Sequence, residues 1–399
     1  MERNSIVKAI ANILAERGVG NLLPLEYPLS PLEHVFPKSI IVVREDEPST
    51  IVAAALSSDD YIGRLFEIRE QYMMDNNTTE ETNNEKLATG IDTSTSGITS
   101  SDLSIERTLR SKSGIHMKSY FTDGTTKFFC KIFFAEQFDA LRRNCGCEES
   151  FIASLAQCAK WDSSGGKSGS TFLKTKDGRF LLKQISRYEM DAFSNFAPSY
   201  FQYMSEAFFH ELPTVLCKIF GLYRVGYKNM TTGRSIRMDI LVMENLFYDR
   251  CVQKIFDLKG SMRNRHVQVT GKENEVLLDE NMVEYLFQSP LFLYSHSKQM
   301  LRESLHNDTL FLSRLDVMDY SLLVGIDEEK QELVVGIVDF IRTFTWDKKL
   351  ESWVKDSGIF GGGGKEPTII SPRQYRIRFR EAMDRYFLMV PDFWTTINI

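Results

Sequence analysis

The stretch WDSSGGKSGSTFLKTKDGRFLLKQI, residues 161–185, contains a Gly-Lys-Ser triplet of the kind found in nucleotide-binding P-loops. A P-loop also needs a glycine five positions before the Gly-Lys pair and a helix that opens directly after the loop. Trp161 occupies the position of that glycine. After the loop, apolar and polar residues alternate on both sides of the turn pair Asp177-Gly178, which predicts a β-hairpin.

A glycine-rich loop above a β-hairpin is typical of kinases, in which the loop covers the nucleotide phosphates and a lysine on a later strand contacts them. Lys183 lies on the second predicted strand, where that lysine is expected. Taken alone, however, a Gly/Ser-rich loop between two strands is more often plain turn chemistry. The kinase interpretation therefore depends on partner residues elsewhere in the chain.

Composition narrows the class of protein. A chain of 399 residues with 43% hydrophobic residues can build the cores of two or three domains or lobes. The sequence contains no apolar run of the roughly 18–20 residues that a membrane-spanning helix needs, so we expect neither a signal peptide nor a transmembrane span. Six cysteines at these spacings indicate neither a disulfide framework nor a zinc site, which favours a reducing, cytosolic setting.

Positive charge is concentrated in two places, although the net charge of −6 argues against a nucleic-acid partner. Residues 254–272 carry five basic side chains and one acidic side chain, and residues 373–385 carry five arginines and two acidic side chains. Most charge runs are solvated faces. In an acidic chain, two such patches nonetheless suggest a phosphate-bearing or anionic partner.

The chain divides by composition into four segments, and the predicted fold class is α+β. Residues 1–68 have the pattern of a folded segment, whereas residues 69–112 include an Asn/Thr/Ser-rich stretch that predicts a disordered linker. Residues 113–245 are rich in predicted strands, and residues 246–399 have longer helical patterns. The last helix has a clear start at Ser371-Pro372, followed by a glutamine three residues after the serine.

Two isolated acidic residues in the second half are candidates for phosphoryl transfer. Asp319 lies in VMDYSLLVG and Asp339 lies in LVVGIVDFI, each among apolar residues where a carboxylate is costly unless it is paired or bound to a metal. Either residue alone is as consistent with a structural salt bridge as with catalysis. Together, the order of glycine loop, lysine and two aspartates is that of a kinase, but the chain lacks His-Arg-Asp, Asp-Phe-Gly and Ala-Pro-Glu motifs.

Three ordered motifs resemble the phosphatidylinositol phosphate kinase family: DLKGS (257–261), MDYSLL (318–323) and IVDFI (337–341). The resemblance covers residues 113–399. In its longer sequence segments the chain is most similar to the type III branch, the PIKfyve-like phosphatidylinositol 3-phosphate 5-kinases. These segments include SSGGKSGS, LVMENLFY, RTFTWDKKLESWVK and MDRYFLMVPDFW. The resemblance implies a two-lobed, protein-kinase-like fold with an antiparallel sheet in the N-lobe (113–245) and a mixed α/β C-lobe (246–399).

The resemblance further implies ATP and Mg²⁺ as cofactors. Asp319 would be the catalytic aspartate, Asp339 would hold Mg²⁺, and Lys183, with Glu189 as a weaker candidate partner, would bind the nucleotide phosphates. The remaining nucleotide-binding residues would be the glycine loop and an adenine-contacting hinge: Gly165, Gly166, Lys167, Ser168, Gly169, Met243, Glu244, Asn245 and Leu246.

The implied substrate is a phosphoinositide at a membrane surface. Lys259 and Arg265 would bind its headgroup phosphates, and residues 342–372 would form the activation or specificity loop. In that loop, Lys348 and Lys349 stand beside bulky apolar residues, as in a membrane-contacting element; an amphipathic helix packed on the protein fits this pattern equally well. The expected location is peripheral, on the cytosolic face of endosomal or vacuolar membranes, with regulatory scaffold proteins as candidate partners.

Three alternatives remain open from the sequence. The kinase could act on phosphatidylinositol 4- or 5-phosphate, because a basic pocket accepts several arrangements of phosphate. The chain could instead be a catalytically inactive phosphoinositide-binding scaffold, although the presence of Lys183, Asp319 and Asp339 together argues against it. The P-loop interpretation requires residues 170–185 to be helical.

Overall fold

The computed structural model describes residues 30–36, 39–84, 100–161, 171–272, 275–343 and 371–390. These residues form two compact units. The first unit contains the described residues of Met1–Lys160, Leu173–Gln184 and Ile219–Met243, and the second contains those of Trp161–Phe172, Ile185–Lys218 and Glu244–Ile399.

The first unit is built on a seven-stranded sheet of order β3-β4-β8-β9-β7-β6-β5. The ladders between β3 and β4, β4 and β8, and β8 and β9 are antiparallel, as predicted for the N-lobe. The elements of this unit are β1 (Glu33–Val35), β2 (Val42–Arg44), α1 (Ser49–Leu56), α2 (Asp59–Asn84), α3 (Ser100–Arg110), β3 (Met117–Asp123), β4 (Thr126–Phe133), α4 (Ala135–Asn144), α5 (Glu148–Leu155), β5 (Cys158–Trp161), β6 (Phe172–Thr175), β7 (Phe180–Ile185), β8 (Ile219–Asn229) and β9 (Ser235–Glu244).

The hairpin predicted after the glycine loop is confirmed. Strands β6 and β7 are hydrogen-bonded neighbours in the sheet, and Gly178 takes the left-handed conformation of the turn with φ +77°. The Asp177 carboxylate fixes this turn by accepting from the Thr175 hydroxyl (2.6 Å) and the Arg179 backbone N–H (3.2 Å). The P-loop interpretation is wrong, because strands stand where its helix would have to begin.

The segment before the predicted N-lobe is part of the same folding unit as the sheet. All eight residues of α1 are buried. The buried guanidinium of Arg142 donates to the Phe220 carbonyl (2.9 Å) and to the Tyr61 hydroxyl (3.2 Å), and Arg69 pairs with Asp139 at 2.7 Å. These bonds join α2 to α4 and to strand β8, so the boundary predicted at residue 113 does not separate two folding units.

The disordered linker predicted for residues 69–112 is also corrected at both ends. Helix α2 continues to Asn84 and helix α3 spans Ser100–Arg110, whereas residues 85–99 lie outside the described part of the chain. The spacing of the buried residues Ile105 and Leu109, one helical turn apart, explains α3, because it places both on one face of the helix. The polar composition of this stretch conceals that short apolar face.

The second unit contains a four-stranded mixed sheet of order β11-β10-β13-β14. Strand β10 pairs parallel with β11 and antiparallel with β13, and β13 pairs antiparallel with β14. With the first unit, this confirms the predicted α+β two-lobed class. The elements are α6 (Arg187–Phe209), β10 (Lys254–Leu258), β11 (Val276–Leu277), α7 (Asp279–Gln288), β12 (Phe292–Leu293), α8 (Ser295–Arg314), β13 (Ser321–Asp327), β14 (Glu332–Val338), α9 (Pro372–Tyr386) and β15 (Leu388–Met389).

Helix α6 groups with the second unit rather than with the strands that flank it in sequence, which corrects the predicted N-lobe of residues 113–245. Its Tyr203 stacks on Phe311 with ring centroids 4.2 Å apart and donates to the buried carboxylate of Asp308 at 2.6 Å. Asp308 also accepts from the Thr214 hydroxyl at 2.6 Å and the Val215 backbone N–H at 2.8 Å. The buried aromatic residues of α6, which are Phe193, Phe196, Tyr200 and Phe201, are core residues.

A buried glutamate in the first unit gives a pH-dependent prediction. The Glu136 side chain is 3% exposed and accepts from the Ile115 N–H at 3.1 Å, and burial raises its pKa from 4.5 to about 7. Between these pKa values the folded state binds more protons than the unfolded state, so the free energy of unfolding falls as pH rises. Glu136→Gln keeps an acceptor and removes the charge. We expect it to raise stability by about 3 kcal/mol at pH 8 and to have little effect near pH 4.

Thermal denaturation across this pH range checks the prediction, with Glu149→Gln at an exposed position of α5 as control. Equal effects of Glu136→Gln at both ends of the range would contradict a titrating buried carboxyl. So would a matching pH profile in the control.

Candidate functional site

The two candidate aspartates lie at the same end of one β-hairpin. Strands β13 and β14 pair antiparallel, with Ser321 opposite Val338 as the last pair of the ladder. Asp319 stands two residues before β13 begins, and Asp339 directly follows the end of β14. The local sequence therefore folds so that residues twenty positions apart lie at the same end of the hairpin.

Both aspartates adopt a backbone conformation that is uncommon for residues other than glycine. Asp319 has φ +64° and Asp339 has φ +60°, both in the left-handed region, where aspartate is among the better-tolerated side chains. A bridge between Val317 and Thr343 closes the chain beyond them. Pairing on both sides holds these two conformations in place, and such outliers cluster at active sites.

The Asp319 carboxylate is exposed and chemically available. Among the described residues, no group donates a hydrogen bond to it. Its backbone carbonyl, in contrast, accepts from the ammonium of Lys259 at 2.7 Å. The lysine of DLKGS and the aspartate of MDYSLL therefore lie side by side, and a positive charge is bound to the backbone of the residue that carries the exposed carboxylate.

Asp279 anchors the DLKGS segment. Its carboxylate, which is completely buried, accepts from the backbone N–H groups of Lys259 (3.1 Å) and Gly260 (2.7 Å) and from the hydroxyl of Tyr386 (3.2 Å). It also pairs with the Nε of Arg265 at 2.9 Å. A buried carboxylate is tolerated when its lone pairs are satisfied in this way, so Asp279 fixes the position from which Lys259 reaches Asp319.

Arg265 forms ion pairs that also hold the DLKGS segment in place. Its guanidinium pairs with Asp257 at 2.6 Å and with Asp279, and only 15% of its side chain is exposed. Burial lowers the pKa of Arg265, but Asp257 and Asp279 outweigh this effect and hold it above the ordinary value. The structure thus assigns Arg265 an internal ion pair, while its contact with a lipid phosphate stays a prediction.

Gly260 allows DLKGS to approach helix α9 closely. It has φ +68°, and a Cβ there would lie 3.0 Å from the Cβ of Ala382 and 3.1 Å from the Cα of Phe379. Gly271 has a similar φ of +69° but open space around it. We expect Gly260→Ala to lower the free energy of unfolding by about 1–2 kcal/mol more than Gly271→Ala does. Both variants place alanine at a positive φ, but only the methyl group of Gly260→Ala would press against helix α9. Chemical denaturation of the two variants measures this difference, and equal losses would contradict the packing argument.

Helix α9 supports the MDYSLL motif. The predicted cap is confirmed, because the Ser371 hydroxyl accepts from the Gln374 N–H at 3.2 Å and the Gln374 side chain accepts from the Ser371 N–H at 2.8 Å. One turn on, the Tyr375 hydroxyl donates to the carbonyl of Tyr320. The Tyr320 ring packs edge-on against Tyr375 (4.8 Å) and Phe379 (5.1 Å), so this helix holds the residue that follows Asp319.

The start of helix α6 is tied to the chain that follows IVDFI. Glu189 forms a capping box with Ser186 and also accepts from the Nε of Arg342 at 3.0 Å. Beside it, the Tyr188 hydroxyl donates to the Thr343 carbonyl at 2.8 Å. These contacts fix the first residues of the predicted activation loop, and the pairing of Glu189 with Lys183 stays a prediction.

The predicted nucleotide-binding residues are placed as follows. Lys183 lies on β7 of the first unit, where its side chain is 1% exposed, which is rare for lysine and marks a specific environment. Met243 pairs with Ile219 in the same sheet. In the second unit, the Glu244 backbone N–H donates to the Lys218 carbonyl at 2.9 Å, and its carboxylate pairs with the Lys218 ammonium at 3.2 Å. Glu244 is therefore engaged in holding the predicted hinge.

Other predicted residues lie outside the described part of the chain. They are Gly165, Gly166, Lys167, Ser168, Gly169, Lys348 and Lys349. In the described ranges, no helix is long and apolar enough to cross a membrane. The same ranges contain no group of three or more His, Cys, Asp and Glu side chains arranged to hold a metal ion.

The chain is similar in sequence to known lipid kinases. The model of the family described as phosphatidylinositol-4-phosphate 5-kinase matches residues 155–333. The chain is 44% identical to the 1-phosphatidylinositol 3-phosphate 5-kinase FAB1 of Saccharomyces cerevisiae, over 98% of this chain and 20% of that protein. It is 52% identical to the 1-phosphatidylinositol 3-phosphate 5-kinase of Mus musculus, over 71% of this chain and 14% of that protein.

Similarity extends to plants, where the chain is 43% identical to the 1-phosphatidylinositol-3-phosphate 5-kinase FAB1B of Arabidopsis thaliana, over 90% of this chain and 21% of that protein. The chain thus spans about a fifth or less of the length of these relatives. The first and third alignments include most of the residues ahead of the predicted N-lobe.

Proposed function

Because the chain belongs to the phosphatidylinositol phosphate kinase family, we propose that it transfers the γ-phosphate of ATP to the 5-hydroxyl of phosphatidylinositol 3-phosphate, producing phosphatidylinositol 3,5-bisphosphate. One observation carries the proposal: Asp319 and Asp339 lie at one end of the β13–β14 hairpin, with Lys259 bonded to the backbone of Asp319. The choice of the 3-phosphate lipid rests on the names of the relatives, whereas the matching family model is named for the 4-phosphate lipid.

Asp319 is proposed to orient the lipid hydroxyl and to accept its proton. An exposed carboxylate to which none of the described groups donates keeps its lone pairs available for this step. Its left-handed backbone, held between two paired segments, fixes the direction of the side chain. The attacking oxygen is thereby oriented before the transfer, which is the main means by which phosphoryl-transfer enzymes accelerate the reaction.

Asp339 is proposed to hold Mg²⁺. The residues fit this ion, because a partly exposed carboxylate at a strand end supplies the hard oxygen ligand that Mg²⁺ prefers, and the ion is commonly held by one or two carboxylates together with substrate phosphates. When bound, Mg²⁺ neutralises charge on the phosphates. A protein site of three or more ligands, of which none is present in the described ranges, is not required.

Two lysines are proposed to bind phosphates. The Lys259 ammonium uses one of its three donors on the Asp319 carbonyl, so the others can contact a headgroup phosphate beside the accepting hydroxyl. Lys183, on β7 of the first unit, is proposed to bind the nucleotide phosphates together with the glycine loop, and the hinge at 243–246 is proposed to contact adenine. We also propose that Arg265, Lys348 and Lys349 contribute to lipid binding.

The reaction is proposed to take place at the cytosolic face of an endosomal or vacuolar membrane, with the chain bound peripherally and regulatory scaffold proteins as partners. A water-insoluble substrate requires the protein to work at the lipid surface. The basic segment 254–272, which contains DLKGS, supports binding to an anionic membrane.

Transfer of radiolabel from ATP to lipid vesicles tests the proposal. Vesicles contain, in turn, phosphatidylinositol and each of its three monophosphates, and the position of the new phosphate is determined in the product. We expect label on the 3-phosphate lipid at its 5-position. Asp316→Asn is a matched control for Asp319→Asn, because Asp316 is also exposed and also has a positive φ (+54°).

Each other outcome points to a different function. Label on the 4- or 5-phosphate lipid would preserve the kinase and overturn the substrate. Vesicle binding without label on any lipid would favour a catalytically inactive scaffold. Label of equal yield with Asp319→Asn and with Asp316→Asn would contradict the role of Asp319.

A further inference from the structure

Helices α8 and α9 bring together a group of basic side chains apart from the catalytic motifs. The arginine cluster consists of Arg314 at the end of α8 and of Arg373, Arg376 and Arg380 on α9. The three α9 residues recur at intervals of three and four, which places them on one side of the helix. At the opposite end of the pair, Lys298 of α8 donates to the Asp384 carbonyl of α9 at 2.8 Å, so the two helices run antiparallel.

Charge is balanced at one end of this helix pair and unbalanced at the other. Asp384 accepts ion pairs from Lys298 (2.9 Å) and from Arg302 (2.9 Å). In the arginine cluster, by contrast, none of the four guanidinium groups has a carboxylate within 4.0 Å among the described residues. Cations without counter-ions repel one another, which lowers the stability of the folded state. The two acidic residues of α9, Glu381 and Asp384, come after the cluster in the sequence.

Arg376 has the least favourable position in the cluster. Its Nε is buried and has no hydrogen-bond partner in the described part of the chain. Burial lowers the pKa of Arg376, and the positive charges of Arg380, Arg314 and Arg373 lower it further. A buried donor without a partner is unfavourable, so the site would gain stability from an acceptor that also carries negative charge.

We propose that the arginine cluster binds a phosphate-bearing anion. Phosphate is the group that matches several guanidinium forks, because its oxygens accept in-plane, bidentate hydrogen bonds and its charge offsets the repulsion among the arginines. None of the proposed catalytic residues belongs to the cluster, so this site goes beyond the proposed function. The ligand is either a soluble polyphosphate or the phosphate of a membrane lipid.

The cluster also adjoins the MDYSLL motif. The charge of Arg376 acts on the phenol of Tyr320, the residue after Asp319, and the Tyr320 hydroxyl is buried without a partner among the described residues. Tyr320 in turn packs against Tyr375 and Phe379 of the same helix α9. An anion at the cluster would therefore stabilise the helix that supports the proposed catalytic segment.

The test compares two variants that each remove one positive charge from α9. Arg380→Gln lies in the cluster, whereas Arg385→Gln lies at the far end of the same helix and serves as control. The full chain is titrated with inorganic pyrophosphate at constant ionic strength while its melting temperature is followed. In parallel, cosedimentation is measured with phosphatidylcholine vesicles that contain phosphatidic acid.

We expect pyrophosphate to raise the melting temperature of the wild type and of Arg385→Gln, and Arg380→Gln to bind about tenfold more weakly. In the absence of anions, Arg380→Gln should be at least as stable as the wild type, because it relieves repulsion. A merely structural arginine would give a loss of stability instead.

The two arms identify the source of the phosphate. A cluster-dependent effect of pyrophosphate alone supports a soluble ligand, and a cluster-dependent effect on vesicle binding alone supports a lipid headgroup. Pyrophosphate held at the proposed nucleotide site would affect both variants equally. If Arg380→Gln and Arg385→Gln behave alike in both arms, the proposal is overturned.

Discussion

Replacing Asp319 with asparagine is expected to lower the turnover of lipid phosphorylation by about 10²–10⁴-fold, the range in which a positioned general base contributes to catalysis. Asparagine is nearly isosteric, and it is tolerated at the positive φ of this position, so the melting temperature should not change. Its amide cannot accept the proton of the attacking hydroxyl. The loss should therefore fall on kcat, while binding of ATP and of lipid vesicles is retained.

The companion change, Asp339→Asn, is expected to reduce turnover through a different step. An amide is a weaker ligand for Mg²⁺ than a carboxylate, so part of the lost activity should return when the concentration of Mg²⁺ is raised. No such recovery is expected for Asp319→Asn. This difference separates the two proposed roles.

Asp316→Asn serves as control for both variants. It removes an exposed carboxylate, also at positive φ, three residues before Asp319. Near-normal turnover in Asp319→Asn, or an equal loss in Asp316→Asn, would remove Asp319 from the proposed mechanism.

Several elements of the fold can be predicted from local sequence signals. The turn pairs Asp123-Gly124 and Asp177-Gly178 predict two hairpins, both of which form, because glycine accepts the positive φ that a tight turn requires. The start of helix α9 is likewise predicted by its serine cap and its glutamine three residues on. In each case the determining residues lie within a few positions of one another.

The boundaries of the folding units depend on contacts that no local pattern reveals. The burial of Arg142 against Phe220 and Tyr61 joins residues about 80 positions apart, and it incorporates the segment ahead of the predicted N-lobe into the first unit. Helix α3 was missed for a related reason. Its apolar face consists of two residues, Ile105 and Leu109, and helices α2 and α4 both pack against α3.

The candidate site shows the same division between local and distant information. Asp319, Asp339 and Lys259 belong to short motifs, and the antiparallel register of β13 and β14 follows from the turn between those strands. Asp279, by contrast, has no motif of its own and lies 20 residues from Lys259. No local signal distinguishes Asp279 in the sequence, because Glu273, Glu275 and Glu280 also follow the basic segment 254–272.

Asp279→Ala is expected to be the most destabilising of the changes considered. It removes a fully buried carboxylate and leaves the guanidinium of Arg265 and the backbone N–H groups of Lys259 and Gly260 short of an acceptor. Breaking a buried ion pair from one side costs about 3–5 kcal/mol. Chemical denaturation should therefore show a loss of this size in Asp279→Ala and a smaller loss in Asp279→Asn, which keeps one acceptor oxygen.

The matched control for Asp279→Asn is Asp257→Asn. Asp257 is the other partner of Arg265, but its side chain is 23% exposed and, within the described part of the chain, it accepts no hydrogen bond from the backbone N–H groups of Lys259 and Gly260. Both variants weaken the ion pair, and only Asp279→Asn also weakens the anchor of Lys259. If the two variants are equally stable and equally active, Asp279 is simply one half of an ion pair.

The proposed role of Asp279 as a positioning residue also has a kinetic signature. Because the carboxylate fixes the backbone from which Lys259 reaches the Asp319 carbonyl, Asp279→Asn should displace the lysine that is proposed to bind the headgroup while leaving the carboxylates of Asp319 and Asp339 in place. We expect KM for the lipid to rise by about tenfold, the equivalent of one weakened charged contact, with a smaller change in KM for ATP. A uniform fall in kcat without a change in the lipid KM would contradict this role, since loss of folded protein lowers the amount of active enzyme and does not alter its affinity for one substrate.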